Sequence, residues 1–284
     1  MVTQIGAIPV TLGSLPLSVV DDAGVTWLNT DLKGWSSPGV RAELQLRQAD
    51  HGAWASPVYL EPRPITITGA IMAPSTAARD AAVEQLIAAV ALTDTLLVVQ
   101  ETIPKQVTVR RSGDLLVSKV GPYGAEYSLL VTAADPRRYS TTLQSRSAAL
   151  PSVTGGLTLP ITMPLTITAT TASGSITLVN EGSIATRPTL TVTGPTVGGF
   201  TIVATRPDGV TTQQTYSDTL NTGDSLVLDA SSRQVTLNGQ VSRRLYMSGT
   251  WPEIPTQSQI TFSWTCPNYD AGALLTGTAR SAWM

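Results

Sequence analysis

One cysteine, one histidine, two phenylalanines and a charged fraction of only 13% are what this 284-residue chain has in short supply. Cys266, being alone, forms no intrachain disulfide and no multi-cysteine zinc site. It falls on the face of Ile260, Phe262 and Trp264 in an alternating strand, so a buried, inert thiol is expected. His51 is the one base available to a Ser-His-Asp hydrolase, yet it sits in the polar turn Asp50-His51-Gly52, and no Gly-x-Ser-x-Gly elbow occurs. Asp21, Asp22 and Asp31 lack the spacing of a calcium loop. Gly155-Gly156 and Gly198-Gly199 open no helix and read as turns rather than phosphate cradles. No enzyme, metal or cofactor is expected.

Basic charge is not in excess either. Eighteen Lys and Arg face 20 Asp and Glu, which disfavours gripping nucleic acid through a basic face. No stretch approaches the ~18 apolar residues of a membrane span. Ala81 to Leu92, the most apolar helical run, is too short. The N-terminus shows no basic segment followed by an apolar one, so no signal peptide and no membrane insertion are expected, and synthesis in the cytoplasm.

What is present is β-forming. Hydrophobic residues make up 42%, Gly and Pro number 23 and 19, and Thr and Val are abundant. The length suits two domains, each able to bury a core. Leu15–Val20 and Val25–Leu28 flank the turn Asp21–Gly24 and read as a hairpin. After the loop Gly34–Gly39, Val40, Ala42, Leu44 and Leu46 alternate, and Ile65–Ile71 is a strand of period two. A helix follows Pro74, capped by Ser75 or Thr76, with Ala78, Ala82, Leu86, Ala89 and Val90 on one face, ending near Thr93-Asp94. Strands are then expected over Thr95–Gln100, Gln106–Arg111, Leu115–Val120 and Glu126–Ala133, separated by Pro104, Ser112–Asp114 and Gly121-Pro122.

Asp135-Pro136-Arg137-Arg138-Tyr139 breaks the pattern and marks a boundary, giving domains 1–137 and 138–284. Beyond it Lys and His vanish and no helical period appears. Short Thr-rich strands with regular turns argue a β-sandwich, including a strand over Thr162–Thr171. Arg206–Gly209 is a tight turn, and Asn238-Gly239 predicts a type I′ hairpin joining Gln234–Leu237 to Gln240–Tyr246. Trp27 and Trp264 alternate with apolar neighbours and are core residues. Trp35, Trp251 and Trp283 are the candidate contacts to a glycan or a protein partner.

An ordered set of segments carries a resemblance. In the first half these are Gly34-Trp35, Asp50-His51-Gly52, Arg63-Pro64-Ile65-Thr66-Ile67-Thr68-Gly69 and the helix after Pro74, followed by the junction Ala134–Tyr139. In the second half come Asn180-Glu181-Gly182-Ser183 with Arg187-Pro188, Leu228-Asp229, Val235–Arg243 and Trp251-Pro252-Glu253-Ile254-Pro255. Together they resemble the distal tail proteins of siphophages, particularly minor tail proteins of actinobacterial phages. Pro255-Thr256-Gln257-Ser258 stands where that family often carries Pro-Gly-Asn. The resemblance implies a β-barrel-like N-terminal domain with one α-helix, assembling as a hexameric ring, and a galectin-like C-terminal β-sandwich projecting outward. It further implies a virion tail-tip hub that joins the tail tube protein to tail-tip or receptor-binding proteins and lets DNA pass without specific binding. The rival expectation is a carbohydrate-binding host-adhesion module.

Overall fold

In the computed structural model, residues 3–4, 8–90, 92–154, 170–172 and 174–284 are described. The expected Gly155-Gly156 turn, and the expected strand as far as residue 169, lie outside them. The described chain is mainly β and splits into two compact units, Met1–Thr141 with Trp283–Met284, and Thr142–Ala282.

The first unit is a nearly closed, barrel-like antiparallel sheet. Its order runs Thr3–Gln4, Val19–Val20, Thr26–Lys33, Arg63–Met72, Gly124–Ala133, Lys105–Val120, Thr95–Val99, Val10–Leu12 and Leu15–Pro16. Period-two alternation places Ile65, Ile67 and Ile71, Leu129 and Val131, and Val107 and Val109 in one core with Trp27. The expected Leu15–Val20 strand is divided: Leu15–Pro16 pairs back on Val10–Leu12, while Val19–Val20 pairs elsewhere in the sheet. The Asp21 carboxylate organises the next turn, accepting from the amides of Ala23 and Val25 and from the Trp27 indole. Ser112–Asp114, expected to separate two strands, is instead a bulge within the single strand Lys105–Val120, because Gly124–Ala133 pairs with both halves.

The helix Thr76–Ala89 starts where Ser75 accepts from the Ala78 amide at 3.1 Å. It ends at Ala89, four residues short of the expected stop near Thr93. Ala82, Leu86 and Val90 enter the core as the spacing predicts. Arg79 is buried too, donating to the carbonyls of Gly121 at 3.2 Å and Pro122 at 2.9 Å, which fastens the helix start to the turn between Lys105–Val120 and Gly124–Ala133.

The second unit is a β-sandwich. One sheet orders Gln144–Ala149, Leu274–Ala279, Thr189–Thr193, Ser225–Asp229, Gln234–Leu237 and Val241–Ser242. The other orders Ser175–Asn180, Ser258–Thr265, Phe200–Thr205, Thr211–Tyr216 and Met247–Gly249. Leu190, Val192, Leu226 and Leu275 from the first meet Phe200, Ile260, Phe262 and Trp264 from the second in a single core. At one edge the Gln144 amide stands in for a strand, donating to the Val179 carbonyl at 2.6 Å and accepting its N–H at 3.0 Å. Asn238 and Gly239 take φ values of 51° and 69°, as a type I′ turn requires. The strand beyond them is shorter than expected, Val241–Ser242, and gives way to a 3₁₀ turn at Arg244–Tyr246. Cys266 lies past the end of its strand and is half-buried rather than buried; partial desolvation pushes its thiol up to about 11.

Asn180 closes this sandwich. Fully buried, its Nδ2 donates to the carbonyls of Ile184 at 2.8 Å and Pro255 at 3.0 Å. Its Oδ1 accepts from the amides of Gly182 at 3.0 Å and Ala282 at 3.1 Å. Gly182 is required beside it, because a Cβ there would lie 1.7 Å from the Ala282 carbonyl oxygen. Thr186 and Ile254 exchange backbone bonds, and Arg187 pairs with Glu253 at 2.7 Å. In Pro255–Ser258, Gln257 carries φ = 47°, a left-handed conformation usually left to Gly or Asn.

Two stability outcomes follow from these geometries. Asn180→Ala orphans buried donors and acceptors and is expected to cost about 3 kcal/mol in chemical denaturation. Gln257→Gly relieves the left-handed residue and is expected to raise stability by about 0.5–1 kcal/mol; a lower melting temperature would contradict that assignment.

Candidate functional site

Three places concentrate chemistry that the cores do not use. The first is a two-stranded ribbon spanning residues 40–60 of the first unit. Val40–Arg41 pairs with Tyr59–Leu60, and Leu44–Leu46 pairs with Ala53–Ala55. Residues opposite one another share a face, so Leu44 and Leu46 lie with Ala55 and Ala53, and Gln45 lies with Trp54. Both faces are bare: Leu44 is 72% exposed, Leu46 78% and Trp54 65%. The Arg47 guanidinium stands 4.5 Å over the Trp54 ring and 3.3 Å from Asp50, while Arg41 stands 5.6 Å over Tyr59. His51 is exposed at the ribbon's tip. The alternation of Val40, Leu44 and Leu46 is visible in the sequence, but it looks like that of a core strand. Only the fold reveals that neither face has a core beneath it.

The second is a buried charged knot in the same unit. Arg63 is fully buried and donates from Nε to the Pro136 carbonyl at 2.9 Å. Its Nη1 reaches the carbonyls of Trp35 at 2.5 Å and Gly34 at 3.2 Å. Burial first, and the neighbouring Arg138 charge second, push this guanidinium down to about 10, so it stays cationic at neutral pH. Glu101 accepts from the Trp35 indole at 2.5 Å, pairs closely with Lys105, and lies 3.8 Å from Arg138. Burial would raise its carboxyl, but the bonds from Lys105 and Trp35 and the charges of Lys105 and Arg138 outweigh that and hold it below 4.5. Asp135 accepts from the Tyr139 hydroxyl at 2.6 Å and the Arg137 amide at 3.1 Å. The knot thus gathers Gly34-Trp35, Arg63 and Asp135–Tyr139, three of the segments that carried the sequence resemblance.

The third is the turn Arg244–Tyr246 of the sandwich. Leu245 is 96% exposed between Arg244, whose guanidinium is 5.6 Å from the Trp251 ring, and Tyr246, under Arg243 at 5.5 Å. Of the three tryptophans singled out from the sequence, Trp35 is buried in the core of the first unit. Trp251 is half-buried beside the exposed turn. Trp283 is half-buried in the first unit, its ring 5.3 Å from the Lys105 ammonium. Trp35 and Trp283 meet the same Glu101–Lys105 pair in the first unit, and Trp251 belongs to the second. Among the described residues, no cluster of three His, Cys, Asp or Glu is arranged to hold a metal, and no helix is long and apolar enough to cross a membrane.

The molecule is therefore a mainly β protein of two units whose exposed chemistry is apolar, aromatic and arginine-based, the composition of contact surfaces. Its fold is that of the phage SPP1 Dit (gp 19.1) protein, with a TM-score of 0.66 over 98% of this chain and 100% of that one, at 10% identity. That protein is described as a paradigm of the hub adsorption apparatus in phages infecting Gram-positive bacteria. Chains of the phage P2 baseplate in its activated conformation align less well: with Ca at 0.48, 7% identity, and coverage of 96% of this chain and 98% of that one. With Sr the values are 0.43, 8%, 93% and 100%. No protein-family model matches the sequence, and no curated protein matches it.

The knot makes a pH prediction. Because the folded Glu101 carboxyl titrates below its ordinary value of 4.5, its contribution to stability is present above that pH and lost as pH falls through the lowered value. Glu101→Gln should flatten that part of the stability profile. A variant that kept the wild-type acid dependence would show that other carboxylates carry it.

Proposed function

We propose that this chain is the structural hub of a phage tail tip. Six copies form a ring through residues 1–137, and residues 138–284 form the sandwich that meets tail-tip or receptor-binding proteins. The ring continues the tail tube protein and passes DNA through its lumen. The single observation that carries this reading is the end-to-end fold likeness to SPP1 Dit, which covers both units rather than one. Sequence and structure add their own support. Near-balanced charge suits a lumen that DNA crosses without being held. The bare ribbon and the free strand edges of the first unit offer the apolar surface and unpaired backbone that association between copies uses. The role is mechanical, the protein belongs to the virion, and Trp251 and Trp283 are its candidate partner contacts. Trp35 acts beneath the surface, positioning the knot.

Native mass spectrometry of the purified chain is expected to show a hexamer or curved partial assemblies. A strictly monomeric species that also failed to join tail tube protein would overturn the proposal. A second reading, a host-glycan adhesin, draws on the half-buried Trp251 beside the exposed Arg244–Tyr246 turn. On a glycan array it requires a signal that Trp251→Ala abolishes, whereas hub assembly requires none.

A further inference from the structure

The turn at Asn238-Gly239 carries a chemistry that a mechanical role leaves unused. It is the one Asn-Gly step in the chain. Glycine has no Cβ to shield its amide nitrogen, so Gly239 N is the least hindered nucleophile that can follow an asparagine. Its attack on the Asn238 side-chain carbonyl carbon forms a C–N bond and closes a cyclic imide, and the side-chain nitrogen leaves as ammonia. Water then opens either imide carbonyl, leaving aspartate or isoaspartate at 238. Both residues of the turn are exposed, so water reaches them.

The attack requires the Asn238 side chain to swing over the Gly239 nitrogen, and in the folded chain it is tied elsewhere. Its Oδ1 accepts from the Ser225 amide at 2.8 Å, and its Nδ2 donates to Asp224 Oδ1 at 2.9 Å. The backbone is held to the same place, Asn238 N donating to the Ser225 carbonyl at 2.8 Å. Asp224 is itself fixed, its other oxygen accepting from the Asn221 amide at 2.8 Å and from Asn221 Nδ2 at 3.2 Å. The bond from Asn238 first, and those from Asn221 next, hold the Asp224 carboxyl below its ordinary value, so it is ionised at neutral pH.

We infer that Asn238 is a latent deamidation site, held unreacted by Asp224 and Ser225, and that its conversion releases the hairpin 234–242 from the 221–225 turn. This holds whether or not the chain is a hub. The product loses the Nδ2 donor and sets a new carboxylate against that of Asp224, two like charges in one contact. Arg243 is near Asp224 but already faces Asp218 at 3.8 Å. Val241–Ser242 is the last strand of its sheet, so its release bares Gln234–Leu237 as a new edge.

The test holds the full chain at neutral pH and physiological temperature, folded and in denaturant. Peptide mapping by mass spectrometry reads residue 238 as asparagine, aspartate or isoaspartate. Folded wild type should convert at least about tenfold more slowly than the unfolded chain, the factor one charge-assisted bond confers. Asp224→Ala, checked by thermal melting to be folded, should recover most of that difference. Asn268, whose amide donates to the Val197 carbonyl, should stay as it is in the wild type. Equal rates in folded and unfolded protein, slower conversion in Asp224→Ala, or a rise shared equally by Asn268 would each overturn the lock. On converted protein, hydrogen exchange should quicken across 234–242 and not at the opposite edge strand, Gln144–Ala149. Should Asp224→Ala melt early, Asn238→Asp, the reaction's own product, takes its place, and unchanged protection of 234–242 would overturn the release.

Discussion

The first unit depends on one buried cation. A guanidinium taken out of water is costly unless its donors find acceptors, and it finds them only where several carbonyls converge. Arg63 Nε and Nη1 take theirs from Pro136, Trp35 and Gly34, while Nη2 has none among the described residues, so three stretches distant in sequence must arrive at one point. Gly34 can arrive only as glycine: it carries φ = 84°, and a Cβ would stand 2.0 Å from the Pro64 carbonyl oxygen. Around this point the indole of Trp35, Lys105 and Arg138 all converge on the Glu101 carboxylate, the network's one anion. Past that corner Arg138–Ser140 rejoins the sheet beside Lys105–Val120.

The sandwich repeats the same logic with an amide. Asn180 both donates and accepts, so it can join a turn, the Ile254-Pro255 segment and the returning chain at Ala282 without any charge to neutralise. Each unit is thus locked by one buried polar side chain that reads backbone rather than side chains. Such a lock leaves most surface positions free to vary. A likeness of fold over nearly the whole chain at 10% identity is what that freedom permits.

Several of the segments that pointed to a family in sequence prove to be these locks and their immediate contacts. Gly34-Trp35, Arg63 and Pro136 touch one another, as do Asn180, Gly182 and Pro255. Their ordered recurrence along the chain is therefore a statement about closure of the fold, not about a reactive site. Surface chemistry was much less legible. Trp35 looked like a loop aromatic available to a partner and is core. Leu44 and Leu46 looked like one side of a buried strand and are bare. A local pattern records which residues share a face, but not whether anything lies across from that face.

By itself the sequence determined the local order: period-two strands, the single capped helix, the φ > 0 turn at Asn238-Gly239 and the change of character near Asp135. Each of these is a matter of steric preference or periodicity within a few residues. Tertiary structure alone decided what lay across long loops. It turned Ser112–Asp114 into a bulge, because one partner strand spans both sides of it. It sent Leu15–Pro16 and Val19–Val20 to different partners, buried Trp35 and left the 40–60 ribbon bare. In each case the outcome depends on which other segment is met, near or far in the chain, and burial belongs to the pair of surfaces that meet rather than to either sequence alone.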